Sequence, residues 1–299
     1  MAVMEDAGLR MSFVIATRDR AEGLRQTLAR LLDTTPCPIT VVDNNSHDHT
    51  REVVHSFAGA DPRGGRVKLV ALSRNRGAVA RNVGVAACAT PYVAFCDDDS
   101  WWAADAPRIG AELFDRHRSV AVLAAQTVVW PAGRRDPFSD VLASSPLGRR
   151  RGMPGPAVLG FQSCSAMVRA SAFLAAGGFS PVLHFRGEEQ LLALDLAAAG
   201  WELCYCPELI AFHQPSPVRA APAAQKARVL RNDFLTCLMR RPADRCVSTL
   251  RRLLLAATGD CAHARAVAEA LVRLPVALGR RRRLSADLER KVRQLEAAA

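Results

Sequence analysis

Three consecutive carboxylates, Asp97, Asp98 and Asp99, follow the apolar run Tyr92 to Cys96 (YVAFC) and precede Trp101-Trp102. Adjacent carboxylates repel one another strongly unless a cation lies among them. Their hard oxygens suit Mg2+ or Mn2+, which take one or two carboxylates and complete the shell with phosphates and water. An acid triplet can also merely cap a helix or close a turn. Its place at the exit of a buried run, ahead of two tryptophans, favours a metal site. Three further polar clusters end apolar runs in the same way: Thr17-Arg18-Asp19, Asp43-Asn44-Asn45 and Ser73-Arg74-Asn75.

The elements that must carry these clusters alternate in type. Ser12 to Thr17, Ile39 to Val42, Val67 to Leu72 and Tyr92 to Cys96 are short apolar or β-branched runs, the pattern of buried strands. Between them, Leu24 to Leu32, His49 to Phe57 and Gly77 to Cys88 repeat apolar residues at helical spacing. Such alternation predicts an α/β fold with a mostly parallel sheet covered on both faces. Ligands of such sheets bind beyond the carboxyl ends of the strands, where all four clusters sit. Val120 to Trp130 predicts one more buried strand. Arg134 to Pro156, with its Gly, Pro and Arg-Arg-Arg, predicts a mobile surface loop. Strand and helix signals return from Gln162 to Phe212, and Pro215, Pro217 and Pro222 mark a boundary before a helical tail.

A chain of 299 residues accommodates one large domain, or one domain and a small appendage. Aromatics make up only 6%, which argues against stacking surfaces for single-stranded nucleic acid. No apolar run reaches the ~18 residues of a spanning helix. The opening residues MAVMEDAGLRM lack the apolar stretch of a signal peptide, so a cytoplasmic location is expected. Nine cysteines without a Cys-x-x-Cys pair read as small buried hydrophobes rather than zinc ligands. The net charge of +11 lies entirely from Arg219 onward, where 18 Lys and Arg face 7 Asp and Glu. Residues 1–218 therefore form a neutral body and residues 219–299 a basic helical C-terminal extension.

Four segments in order, SFVIATRDR, VVDNNSHDHT, LSRNRGAVARNVGVA and VAFCDDDSWW, resemble the family 2 glycosyltransferases of the GT-A fold. A fifth, GGFSPVLHFRGEEQLLALDLAAAGW, is similar to that family's catalytic-base segment, and the resemblance covers residues 12 to 215. It implies a Rossmann-like nucleotide-binding sheet over residues 1–218 and a nucleoside-diphosphate sugar as donor. Thr17 and Asp43 are assigned by it to the base and ribose. A carboxylate at position 43 can accept the imide N–H of uracil or thymine, which cytosine lacks, or it can simply end a strand. Asn75 and Arg81 are placed near the base or diphosphate, and Gly77 permits close backbone approach. Arg18, Asn45, Asp98 and Trp102 join the same nucleotide-sugar site. Asp97 resembles its ribose- or metal-associated acid and Asp99 its metal ligand, and His213 occupies a position where some members supply a metal ligand.

The base segment departs from the family's usual Glu-Asp, since here it reads Glu188-Glu189. Glu189 aligns with the base, which must take the proton of the acceptor hydroxyl; the extra methylene leaves Glu188 as its rival. Either acid can instead serve a helix N-terminus. Trp101 and Trp102 either wall a sugar ring or fill the core. Arg134, Arg135 and Arg149 to Arg151 either close over an anionic ligand or remain solvated. The implied reaction is metal-dependent inverting transfer from a UDP- or dTDP-linked sugar to a hydroxyl, in glycoconjugate, polysaccharide or natural-product synthesis. The rivals are a sugar nucleotidyltransferase, although its Gly-rich phosphate loop is missing after the first strand, and a non-catalytic nucleotide-sugar-binding scaffold. In the tail, Val267 to Leu278 is apolar and Arg280 to Arg283 follow at once, while Ser285 starts a helix striped by Leu288, Val292 and Leu295. That arrangement predicts either a packed helical appendage or peripheral contact with anionic lipid at the inner face of a membrane.

Overall fold

The computed structural model describes residues 10–60, 65–215 and 222–298. In chain order the elements are β1 (Met11–Thr17), α1 (Ala21–Thr34), β2 (Ile39–Asp43), α2 (Thr50–Ala60), β3 (Val67–Ala71), α3 (Val79–Ala86), β4 (Tyr92–Cys96) and β5 (Ser100–Trp102). They continue with α4 (Ala106–Arg116), β6 (Val120–Val129), β7 (Arg134–Arg135), α5 (Pro137–Ala143), β8 (Ala166–Arg169), α6 (Ala170–Ala175), α7 (Glu188–Ala198) and β9 (Glu202–His213). Four helices close the chain: α8 (Pro222–Arg240), α9 (Ala243–Ala257), α10 (Cys261–Gly279) and α11 (Ala286–Ala297).

The strands form one sheet in the order β3-β2-β1-β4-β8-β6-β9-β5, with β7 against β6. Residues of β1, β2 and β4 are buried on both faces, which is why their sequences run apolar without alternation. Phe13 and Ile15 face the cluster that includes Leu24, Leu28 and Leu31 of α1; Val14 faces the one that includes Val85 of α3. The expectation of a mostly parallel sheet holds for β1 to β4. Beyond them the sheet is mixed. β8 lies antiparallel to both β4 and β6, and β5 antiparallel to β9.

The segment expected to be a mobile loop contains β7 and α5. Asp136 caps that helix by accepting from Phe138 N at 2.9 Å, and Pro137 opens it. The expected boundary at 218/219 falls outside the described residues. The C-terminal helices nevertheless share a core with the body, in which Val182, Leu183 and Leu191 meet Phe234, Leu235 and Leu253. Ser285 caps α11, accepting from Leu288 N at 3.3 Å, and Leu288 and Val292 are buried as the stripe implied. Arg241, almost fully buried, fastens α11 through Glu289 and Glu296.

Candidate active site

Parallel register sets the strand ends side by side, with Thr17 beside Asp43 and Asp43 beside Ala71. The acid triplet leaves β4 next to them. Thr17 Oγ1 donates to Asp98 Oδ2 at 2.8 Å, and Arg20 Nε lies 3.5 Å from its other oxygen. Burial, followed by the charge of Asp97, pushes the Asp98 carboxyl up to about 7. Asp98 is thus anchored inside the protein, while its two neighbours face other partners.

Asp97 is ion-paired with Arg81, a guanidinium only 6% exposed. Burial opposes the charge on Arg81, but Asp97, Glu188 and Glu189 more than offset this and hold its pKa above the ordinary value. Arg81 is therefore bonded to the acid triplet and feels the charge of the base segment. Its Nε is buried without a protein hydrogen-bond partner, and so is Glu188 Oε2. Asp99 Oδ1 lies 3.4 Å from His213 Nε2, because the antiparallel β5–β9 register pairs Ser100 with His213. Burial disfavours the charged ring, yet the hydrogen bond and charge of Asp99, with Asp97 and Asp136, raise the His213 pKa overall.

The two glutamates at the start of α7 differ in environment. Glu188 is 1% exposed, and burial followed by repulsion from Glu189 pushes its carboxyl up to about 8. Glu189 is half-buried, and its Oε1 accepts from Ser163 Oγ at 2.9 Å. The loop ahead of α7 runs through left-handed His184, Arg186 and Gly187. His184 O accepts from Ala78 N at 2.7 Å, and Gly77, at φ +60°, lies so close that a Cβ there would stand 2.1 Å from that oxygen. The close approach foreseen for Gly77 is thus to the base segment's own backbone. Asn75 Oδ1 accepts from Gly77 N, and Asn44 brackets the same turn through Gly77 O and Arg76 N.

Asp43 is fully buried and accepts from Ser46 N at 2.9 Å and Arg51 Nε at 2.5 Å. Asn45 turns the chain in the left-handed region at φ 66°. Arg18 is exposed and, among the described residues, pairs with its neighbour Asp19, 3.3 Å away. Trp102 requires a correction: it is fully buried and donates Nε1–H to Phe95 O at 3.0 Å, so it fills the core and offers no wall to a sugar. Trp101 instead stacks on Phe212 and carries Arg30 over its ring at 3.7 Å. With Arg20, Arg30, Asp98 and Asp99 it lines a cleft of about 190 Å³. Arg135 and Arg150 are engaged by Asp140 and Glu202, and Arg149 by Met153 O. Sequence reasoning missed Asn44, Arg51, Ser163 and His184. Asn44 stood inside a cluster already noticed; the others carry no local signal.

A parallel half, a mixed half and an acid triplet between them define the GT-A glycosyltransferase fold. A mannosyltransferase from Pyrobaculum calidifontis, solved with GDP-Man and Mn2+, superposes with a TM-score of 0.61 at 19% identity, covering 97% of this chain and 80% of that one. S. aureus TarS residues 1–349, solved with UDP-GlcNAc, gives a TM-score of 0.57 at 18% identity over 77% of this chain and 66% of that one. The chain belongs to glycosyl transferase family 2, whose family model matches residues 12–175. It is 29% identical over 219 residues, 68% of its length, to the pre-mycofactocin glycosyltransferase of Mycobacterium tuberculosis. The chain spans 42% of the length of that curated relative.

Proposed function

We propose that this chain transfers a sugar from a UDP- or dTDP-linked donor to a hydroxyl acceptor with inversion at the anomeric carbon. The observation that carries the reading is Arg81, buried, ion-paired with Asp97 and within the electrostatic reach of the Glu188-Glu189 pair. It joins a donor-side acid cluster to a base candidate within one site. Glu189, oriented by the Ser163 hydroxyl, keeps Oε2 for the acceptor proton as the hydroxyl attacks. Burial pushes the Glu188 carboxyl up and encloses it, which favours the more exposed Glu189 as the base. Arg81 Nε, buried and without a partner among the described residues, adds positive charge behind the acid cluster, where a diphosphate would gain from it. Asp43 is the group that distinguishes an imide-bearing base.

Among the described residues no three His, Cys, Asp or Glu side chains are gathered as a metal cage. The donors present still fit Mn2+ or Mg2+, since a carboxylate and an imidazole sit together and such ions draw their remaining ligands from phosphate and water. Asp99 and His213, with Asp97, are the residues that would hold the ion. When bound it offsets charge on the leaving nucleoside diphosphate. Relatives of the fold solved with Mn2+ support this reading. A peripheral position against an anionic membrane belongs to the same proposal and rests on the basic C-terminal helices. A thermal-shift panel of nucleotide sugars, each with and without Mn2+, tests the donor. Stabilisation scales with occupancy, so UDP- or dTDP-sugars should raise the unfolding temperature and CDP-sugars should not. A response to no nucleotide sugar refutes the proposal.

A further inference from the structure

Most of the large hydrophobic side chains left exposed lie in the C-terminal helices, and on α10 they share one face. Leu271 is 61% exposed, Val272 79%, Val276 54% and Leu278 49%. At about 100° per residue these four, with Pro275, span about 160° of the helix. Arg265, beside Glu269 at the N-terminal end, is the charge within that arc. The opposite face carries Ala266, Ala270 and Ala277, buried against the neighbouring helices. A water-facing helix normally turns a polar face outward. This one does not.

The end of the apolar face is strongly basic. Arg280, Arg282 and Arg283 are exposed, and none is ion-paired with an acid among the described residues. Arg281 differs from them: it turns inward and donates to the carbonyls of Leu238 and Arg241. Beside Arg280 and Arg282 lies a recess of about 270 Å³, lined by these two with Arg240, Ser180 and the Gly177-Gly178 turn. Asp195 neutralises Arg240 there, so the remaining charge of the recess is positive.

We propose that this face of α10 docks on an anionic lipid bilayer, with a lipid phosphate seated between Arg280 and Arg282. The apolar residues would enter the headgroup and acyl boundary while the arginines meet the surface charge. Charge complementarity selects this occupant. Lipid phosphates neutralise the three arginines, for which the described residues offer no acid. The inference deepens the peripheral-membrane part of the proposed function and stands apart from the donor chemistry.

The test is co-sedimentation of the full chain with phosphatidylcholine vesicles, alone or mixed with phosphatidylglycerol. Binding should require phosphatidylglycerol and weaken with added salt. Joint Arg280→Gln, Arg282→Gln and Arg283→Gln should lower vesicle affinity about 100-fold, roughly 5-fold for each arginine. Val272→Ser with Val276→Ser should lower it at any salt. Unfolding curves and donor-induced thermal shifts of both variants should match the parent, which separates this idea from failure of the donor reading. Equal recovery with neutral and anionic vesicles overturns the proposal. So does a dimer in solution that the same substitutions dissociate, or stabilisation by inorganic phosphate without vesicle binding.

Discussion

Adding one methyl group at position 77 should damage both stability and turnover, although no ligand need touch it. Gly77 sits at φ +60°, and a Cβ there would stand 2.1 Å from His184 O and 2.7 Å from His184 Nδ1. The nearest atom is backbone, so no side-chain rotation relieves the clash. The left-handed conformation alone costs a non-glycine residue about 1–2 kcal/mol. The two loops must also part by about 1 Å, which breaks the Ala78 N to His184 O hydrogen bond of 2.7 Å, worth about 1 kcal/mol. Gly77→Ala should therefore cost about 2–3 kcal/mol in urea unfolding. His184 leads through Gly187 into α7, whose first turn carries Glu188 and Glu189. A misplacement of about 1 Å at a reacting group can lower turnover about 10²-fold. Gly59→Ala is the control: a Cβ there meets nothing within 4 Å, and as a helical position it should gain about 0.5–1 kcal/mol. Parental stability and turnover in Gly77→Ala would refute the contact between the Gly77 turn and the His184 loop.

Glu189→Gln should lower turnover about 10²-fold or more while donor affinity holds; if Glu188→Gln is crippled and Glu189→Gln is not, the base has been misassigned. Glu188→Gln should also change the pH dependence of stability. The folded-state pKa of Glu188, about 8, lies above the ordinary 4.5, so its contribution is present below about 4.5 and lost as pH rises toward 8. The glutamine variant should thus gain on the parent progressively across that window in denaturant titrations; a constant difference would contradict a protonated Glu188. Asp99→Ala should abolish turnover yet leave the unfolding curve near that of the parent, and chelator should silence the parent enzyme. Full turnover in excess chelator removes the metal from the mechanism.

Periodicity and punctuation made the first half of the molecule legible. A buried strand cannot continue through polar residues, so Thr17, Asp43 and Asp97 marked the strand ends, and parallel pairing then had to bring those ends to one edge. The capping serine at 285 and the stripe of Leu288 and Val292 followed from equally local rules. Signals overlooked rather than absent account for α5, whose Asp136-Pro137 start is an ordinary cap followed by proline. Other features were decided by partners far away in the chain. Trp101 and Trp102 are both buried in one core, and only the packing around β5 decides that Trp102 is wholly enclosed while Trp101 keeps an edge at the cleft. Composition could not rank Glu188 against Glu189, because the difference is burial, set by how the segment packs. The partners Arg81 to Asp97, Ser163 to Glu189 and Gly77 to His184 join different elements through contacts that no spacing rule encodes. Short-range sequence thus determined which elements form and where they end, since backbone sterics and hydrophobic alternation act over a few residues. Close packing between distant segments decided which acids are buried, which are paired and which remain free to react.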